Sequence, residues 1–174
     1  MKFDLLGSEI LYQGRAIALR LDKLRTPSGR TVKYEIIDHH GSVSLVPVDE
    51  QGRIYFVRQY RHAAGMEMLE LPAGSLEEGE APEACAAREI REETGMAAGS
   101  LKEIGGFYLA PGYSTEYMHV FLATNLSRNP LMADADEFLS VETMTIAEAL
   151  KLAESGQLSD SKSLAALLLA RPYL

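Results

Sequence analysis

Residues 74–96 read GSLEEGEAPEACAAREIREETGM and concentrate carboxylates that a soluble domain ordinarily scatters. Helix signals begin at Ala81-Pro82, where proline suits the first helical turn, and end at Gly95, a natural C-terminal cap. The segment therefore predicts a helix over 82–94. Residues three and four apart share a helix face, so Glu89, Glu92 and Glu93 present neighbouring carboxylates. Left alone they would repel one another. Oxygen-rich sites of this kind suit hard cations such as Mg²⁺ and Mn²⁺, which keep several waters and are shared with substrate phosphates. Such ions activate water and neutralise charge building on a pyrophosphate, which fits phosphoanhydride hydrolysis.

A single glutamate on a helix is usually part of a solvated face. Here the spacing decides otherwise. Gly74 is followed by five residues and Glu80, then by seven residues and Arg88-Glu89-Ile90-Arg91-Glu92-Glu93-Thr94-Gly95-Met96. Seven fixed identities at fixed spacing arise by chance on the order of once per hundred million start positions, so coincidence is not a competing reading. The pattern matches the Nudix box without a gap or substitution, and the chain resembles the Nudix hydrolase family.

That resemblance implies an α/β fold, an α/β/α sandwich with a mixed sheet, in which the box forms a loop, helix and loop. Carried over by position, Glu89 and Glu93 correspond to metal ligands for Mg²⁺ (or Mn²⁺), and Glu92 to a ligand or a general base. The backbone carbonyl of Ala73 corresponds to a further metal-binding position. Glu80 corresponds to the outlying box glutamate. Arg88 corresponds to the arginine that orients the carboxylates, and its place four residues before Glu92 allows it to do so. Gly74 and Gly95 suit a tight loop and a helix cap. Cys85 and Ala84 read as packing residues.

Composition bounds the rest. With 174 residues, 47% hydrophobic and 24% charged, the chain is long enough for one catalytic domain with an N-terminal extension. No apolar run approaches the roughly 20 residues that cross a bilayer. The opening MKFDLLGSEI lacks the pattern of a secretory signal, and Cys85 is the single cysteine, so the expected location is cytoplasmic. A net charge of −8 argues against nucleic acid held on a general basic surface. Neither nucleic acid nor membrane is an expected partner.

Strand patterns run through SEILYQ, RAIALRLDKLR and RTVKYEIIDHH, the last two joined by a Thr26-Pro27-Ser28-Gly29 turn that predicts a hairpin. This lobe, residues 1–40, is too small for a core of its own and must lie on its own catalytic domain, 41–174, or on a partner subunit. SVSLVPVDEQGRIYFVRQYR predicts a second hairpin about a polar DEQG turn, and MEMLELPAG leads into the glutamate-rich segment. SLKEIGGFYLA and TEYMHVFLATNL read as strands, followed by a polar loop, SRNPLMADADEF. Thr145-x-x-Glu148 predicts a capped helix to about Glu154, and a last helix runs from near Asp160 to Ala170.

Substrate choice must come from outside the box. Pro111, fifteen residues beyond Met96, the run VRQYRHAAG and the run ELPAG all resemble the ADP-ribose (ADP-sugar) pyrophosphatase branch. Arg58 and Arg61 are candidates to clamp phosphate by charged, bidentate bonds, with surface solubility as the plainer reading for one of them. Glu70 and Pro111 are further substrate-contact candidates. In this branch an acidic loop supplies a late catalytic glutamate, for which Glu137 is the candidate, although Ala135 interrupts the acidic run. The branch also uses N-terminal strands to form a homodimer and to complete the adenosine site. Glu35 is a candidate for a ribose hydroxyl, and Tyr12, Tyr34 and Tyr113 for stacking on adenine, with packing or plain exposure as the alternative for each. His39, His40, His62 and His119 show no metal-ligand spacing. The leading substrate is a nucleoside diphosphate-sugar, ADP-ribose first, cleaved to AMP and ribose 5-phosphate. The competing readings are GDP-mannose, a dinucleoside polyphosphate or a reduced dinucleotide. In another class, a sensor would bind ADP-ribose without cleaving it, which the full set of box carboxylates disfavours.

Overall fold

The computed structural model describes residues 2–132 and 138–174. Thirteen residues of the glutamate-rich segment form the helix α1 (Pro82–Thr94), with Pro82 in its first turn and Gly95 capping it in the left-handed region at φ 72°. The Gly95 N–H reaches the Arg91 carbonyl at 3.1 Å, so the stop is the one glycine supplies most cheaply. The remaining elements are the strands β1 (Asp4–Gln13), β2 (Ala18–Arg25), β3 (Thr31–Asp38), β4 (Ser42–Pro47), β5 (Arg53–Arg61), β6 (Met66–Glu70), β7 (Ala73–Ser75), β8 (Met96–Tyr108), β9 (Tyr117–Arg128) and β10 (Leu139–Thr145), and the helices α2 (Ile146–Glu154) and α3 (Ser161–Ala170). A short 3-10 turn, Arg171–Tyr173, follows α3.

The chain divides into two compact units, and the first comprises Met1–Gly41 with Tyr108–Tyr117. Here β1, β2 and β3 form an antiparallel sheet in that order, so the hairpin predicted about Thr26–Gly29 is present between β2 and β3. The unit takes in more of the chain than an N-terminal extension alone. The turn after Ala110 is stitched to β3 by Ile37 N–H to Tyr113 carbonyl (2.7 Å) and Thr115 N–H to Ile37 carbonyl (3.0 Å), with Thr115 Oγ1 donating to Asp38 (3.1 Å). Every residue of the edge strand β1 is exposed, including Leu5, Ile10, Leu11 and Tyr12. Among the described residues of this unit, no large apolar side chain reaches the buried core.

The second unit holds two sheets, β10-β5-β6 and the mixed sheet β7-β4-β9-β8, in which β4 runs parallel to β9 and antiparallel to β7. Strand β4, SVSLVP, is buried at all six positions because both its faces are covered. Val43 and Leu45 join Cys85, Ala86 and Ile90 of α1 in one apolar cluster. Val46 joins Ala166, Leu167 and Ala170 of α3 in the other. Strand β9 alternates in the same way, with Phe121 and Ala123 toward α1 and Val120 and Leu122 toward α3. The period-two geometry of a strand thus produces the expected α/β/α layering.

Two features differ from the sequence reading. The DEQG turn closes as expected, with Gly52 N–H on the Asp49 carbonyl at 3.0 Å, but β4 and β5 form no ladder; Val48, just past β4, meets Ile54 in an isolated bridge. They then part into different sheets, because β4 is already flanked by β7 and β9. A local turn signal cannot report that non-local competition. Residues 139–145 also form a strand, β10, paired with β5 along its full length, which the sequence reading passed over between the acidic loop and the capped helix. The capping box itself is present: Thr145 and Glu148 bond reciprocally at the start of α2.

Ile90 is fully buried where α1 meets β4 and β9. Ile90→Ala is expected to destabilise the protein by about 3 kcal/mol through lost burial and a residual cavity. Urea unfolding measures this, and an unchanged midpoint would contradict the packing described.

Candidate active site

The candidate site is built where α1 faces the short strand β7. Glu89 and Glu93 are 7% and 4% exposed, unusual for glutamates on a helix. Their four-residue spacing turns both toward the backbone of 73–75. Glu93 Oε2 accepts the Ala73 N–H at 2.9 Å. The Glu89 carboxylate lies against Gly74 so closely that a Cβ at that position would fall 1.8 Å from Glu89 Oε1. This gives Gly74 a different role from the tight loop expected of it. It sits in a strand, paired with Val43, and its missing side chain makes room for a carboxylate.

Arg88 holds the cluster together. Its Nε and Nη2 engage Glu80 bidentately at 3.0 and 2.9 Å, and its Nη1 reaches Glu89 at 2.6 Å and Glu92 at 3.0 Å. One guanidinium thus touches three carboxylates, and Nη2 also donates to the Ser75 carbonyl at 3.3 Å. The Arg88 hydrogen bonds hold the Glu80 carboxyl below its usual range, and the same bonds push the Arg88 pKa up. Burial, with the Glu89 and Glu80 charges, drives the Cys85 thiol well above its ordinary value, so Cys85 is a packing residue without thiolate chemistry. Among the described residues, no three His, Cys, Asp or Glu side chains are gathered around one cation position. Glu89 and Glu92 share Arg88 Nη1, while Glu93 is turned to the Ala73 amide.

The two candidate phosphate arginines stand on β5 in different settings. Arg58 pairs with Glu142 of β10, its Nε 2.5 Å from Oε1. Arg61 forms a bidentate pair with Glu70 of β6, Nε to Oε1 at 2.7 Å and Nη2 to Oε2 at 2.6 Å. Glu70 is 1% exposed and also accepts from Lys162 of α3. Burial alone would push the Glu70 carboxyl up, but Arg61 and Lys162 outweigh it and hold the group ionised. The Arg61 pKa is raised, chiefly by its bonds to Glu70, with Glu93 and Asp160 also acting on it, which places Arg61 in the field of the α1 carboxylates.

In the N-terminal unit, Glu35 is exposed in the middle of β3 and Pro111 is exposed in the turn bonded to that strand. Tyr12, Tyr34 and Tyr113 are all exposed. Glu137 lies outside the described residues; the chain leading to it is fastened to the end of α1 by Asn129 N–H to the Gly95 carbonyl (3.0 Å) and Leu131 N–H to the Arg91 carbonyl (3.2 Å). Lys162, Asp160 and Glu142 escaped the sequence reading. Their signal is only that of ordinary surface charge until the fold brings α3 against β6, and β10 against β5.

The NUDIX domain family matches residues 38–167. The chain is 40% identical over 160 residues to the ADP-ribose pyrophosphatase of Bacillus subtilis (strain 168), covering 91% of this chain and 86% of that protein. It is 38% identical over 169 residues to the ADP-ribose pyrophosphatase of Mycobacterium tuberculosis (strain ATCC 25618 / H37Rv), covering 95% and 82%. It is 35% identical over 161 residues to a methanol dehydrogenase activator of Bacillus methanolicus, covering 91% and 87%. The crystal structure of an ADP compounds hydrolase superimposes with a TM-score of 0.87 at 24% identity, over 100% of this chain and 95% of that one, which shows a shared fold. The glutamate-rich helix, the sheet it packs on and the matched family coincide: this chain belongs to the NUDIX domain family.

Proposed function

We propose that this protein is a divalent-metal-dependent pyrophosphohydrolase that cleaves ADP-ribose to AMP and ribose 5-phosphate. The observation that carries the reading is the pair of buried carboxylates, Glu89 and Glu93, set against the backbone of Ala73 and Gly74. The substrate assignment is supported by the two relatives named ADP-ribose pyrophosphatase at 40% and 38% identity.

The residues present fit a hard cation. Glu89, Glu93 and the Ala73 carbonyl offer oxygen donors only, Glu92 stands beside them as a further ligand or the base, and Mg²⁺ or Mn²⁺ asks for few protein ligands because waters and substrate phosphates complete the shell. Bound there, the cation supplies a more acidic water and neutralises charge on the phosphoanhydride oxygens. The chain's own residues do the rest. Arg88 keeps Glu80, Glu89 and Glu92 together against their mutual repulsion. Arg61 spends its Nε/Nη2 edge on Glu70, and its other edge, pointing away from that carboxylate, receives a substrate phosphate. Arg58 takes a second phosphate contact in exchange for its surface pair with Glu142. Glu137, Glu35 and Pro111 are retained as candidates for the late base and for contacts to the nucleoside and ribose. We assign the protein to the cytoplasm; among the described residues no helix is long and apolar enough to cross a membrane.

We also propose a homodimer through the N-terminal sheet. A fully exposed edge strand carrying Leu5, Ile10, Leu11 and Tyr12 is a surface that proteins ordinarily cover.

With ADP-ribose and Mg²⁺, Glu93→Gln is expected to lower kcat on the order of 100-fold with an unchanged circular dichroism spectrum. Full turnover in that variant would remove α1 from the chemistry. Gly74→Ala is expected to displace the Glu89 carboxylate and cut activity on the order of tenfold or more, because a side chain and the carboxylate cannot share the space. A panel adding GDP-mannose, dinucleoside polyphosphates and NADH, with products separated by chromatography, tests the substrate; intact ADP-ribose after long incubation with Mg²⁺ would mark a sensor. Sedimentation velocity is expected to find a dimer that Ile10→Asp combined with Leu11→Asp converts to monomer, whereas a monomeric wild type would sink the interface.

A further inference from the structure

The strand that leads into the candidate cluster is fastened from behind by α3. Lys162, buried in the first turn of that helix, donates to Glu70 Oε2, the same oxygen that accepts Arg61 Nη2, and reaches Asp160 at 2.7 Å. Asp160 caps the helix by accepting the Ser163 N–H at 3.0 Å, and it also accepts the Ser163 hydroxyl. Ser163 Oγ in turn accepts the Leu71 N–H at 2.7 Å, two residues before Ala73. The result is a charge-balanced set of two carboxylates, Glu70 and Asp160, and two cations, Arg61 and Lys162.

The balance matters because Arg61 has two tasks. Its guanidinium must hold Glu70, and it must also face outward, where its side chain is 43% exposed, to meet a phosphate. Without the ammonium of Lys162, two carboxylates would draw on one guanidinium in a largely buried setting, where unpaired charge is costly. A phosphate would then compete with both for Arg61. Lys162 lies 69 residues beyond Glu93 in the chain, and its hydrogen bonds run to Glu70 and Asp160.

We propose that Lys162 is a positioning residue for substrate phosphate: by sharing Glu70 with Arg61 and neutralising Asp160, it leaves the outer edge of Arg61 available to the pyrophosphate. The proposal rests on the reading of Arg61 as a phosphate ligand given above. The test is steady-state hydrolysis of ADP-ribose at saturating Mg²⁺ by wild type, Lys162→Met, Lys162→Arg, Arg61→Ala and the Arg61→Ala/Lys162→Met double variant, each with its thermal midpoint. Lys162→Met is expected to raise KM about tenfold with kcat within about twofold, Lys162→Arg to return KM to within about threefold of wild type, and Lys162→Met on the Arg61→Ala background to change KM by less than about twofold. Equal KM effects on the two backgrounds, or a folded Lys162→Met with wild-type KM, would overturn the proposal. An Arg61→Ala variant with wild-type KM would instead overturn the role of Arg61 itself, and a wild type inert toward ADP-ribose would overturn the substrate. Should methionine at 162 prevent cooperative unfolding, Lys162→Gln is measured by the same criteria.

Discussion

Four glutamates of like charge, at 80, 89, 92 and 93, are held in one small region, and their mutual repulsion is the constraint around which the catalytic unit is arranged. Arg88 meets it directly, bonding to Glu80, Glu89 and Glu92 with a single guanidinium. A lysine could not do this, because the planar fork serves several acceptors at once in fixed directions. The backbone meets it as well, through the Ala73 amide on Glu93 and the open face of Gly74 under Glu89. These devices keep anionic oxygens gathered at modest cost, which is the condition for accepting a cation and a polyphosphate in turn.

The same site depends on the sheet behind it. Strand β4 is buried on both faces, so its position is fixed by α1 on one side and α3 on the other. Because β7 pairs with β4 through Ser42 to Ser44, the Ala73–Ser75 backbone inherits that rigidity. Helix α3 reinforces it from a second direction, through Ser163 on the Leu71 amide and Lys162 on Glu70. Geometry at the carboxylates is therefore set by packing distant in sequence from the residues that face the chemistry, as precise sites require.

The proposed recognition and chemistry are distributed differently. The proposed chemistry sits in one contiguous segment and its immediate supports. The arginines on β5 are instead committed to carboxylate partners, Arg58 to a half-exposed one and Arg61 to a buried one. A pair with a half-exposed carboxylate exchanges for a phosphate more readily than one whose carboxylate is buried and held from behind. The two arginines on one strand thus have distinct physical characters, one adaptable and one preset.

The amino-acid sequence by itself determined the helix 82–94, its proline start and glycine stop, the shared face of Glu89 and Glu93, and the apolar runs that become β4 and β9. All of these are short-range: they follow from a 3.6-residue period, from local composition and from local backbone preferences. Only the tertiary structure decided that β4 and β5 part into separate sheets, that β10 completes the second sheet, that the turn after Ala110 joins the N-terminal strands, and that Gly74 serves by absence of a side chain. It alone revealed that Lys162 and Asp160 balance Glu70 and Arg61. The physical reason is common to these cases. Strand pairing and buried charge are settled by competition among partners far apart in the chain, and no local pattern records which partner wins.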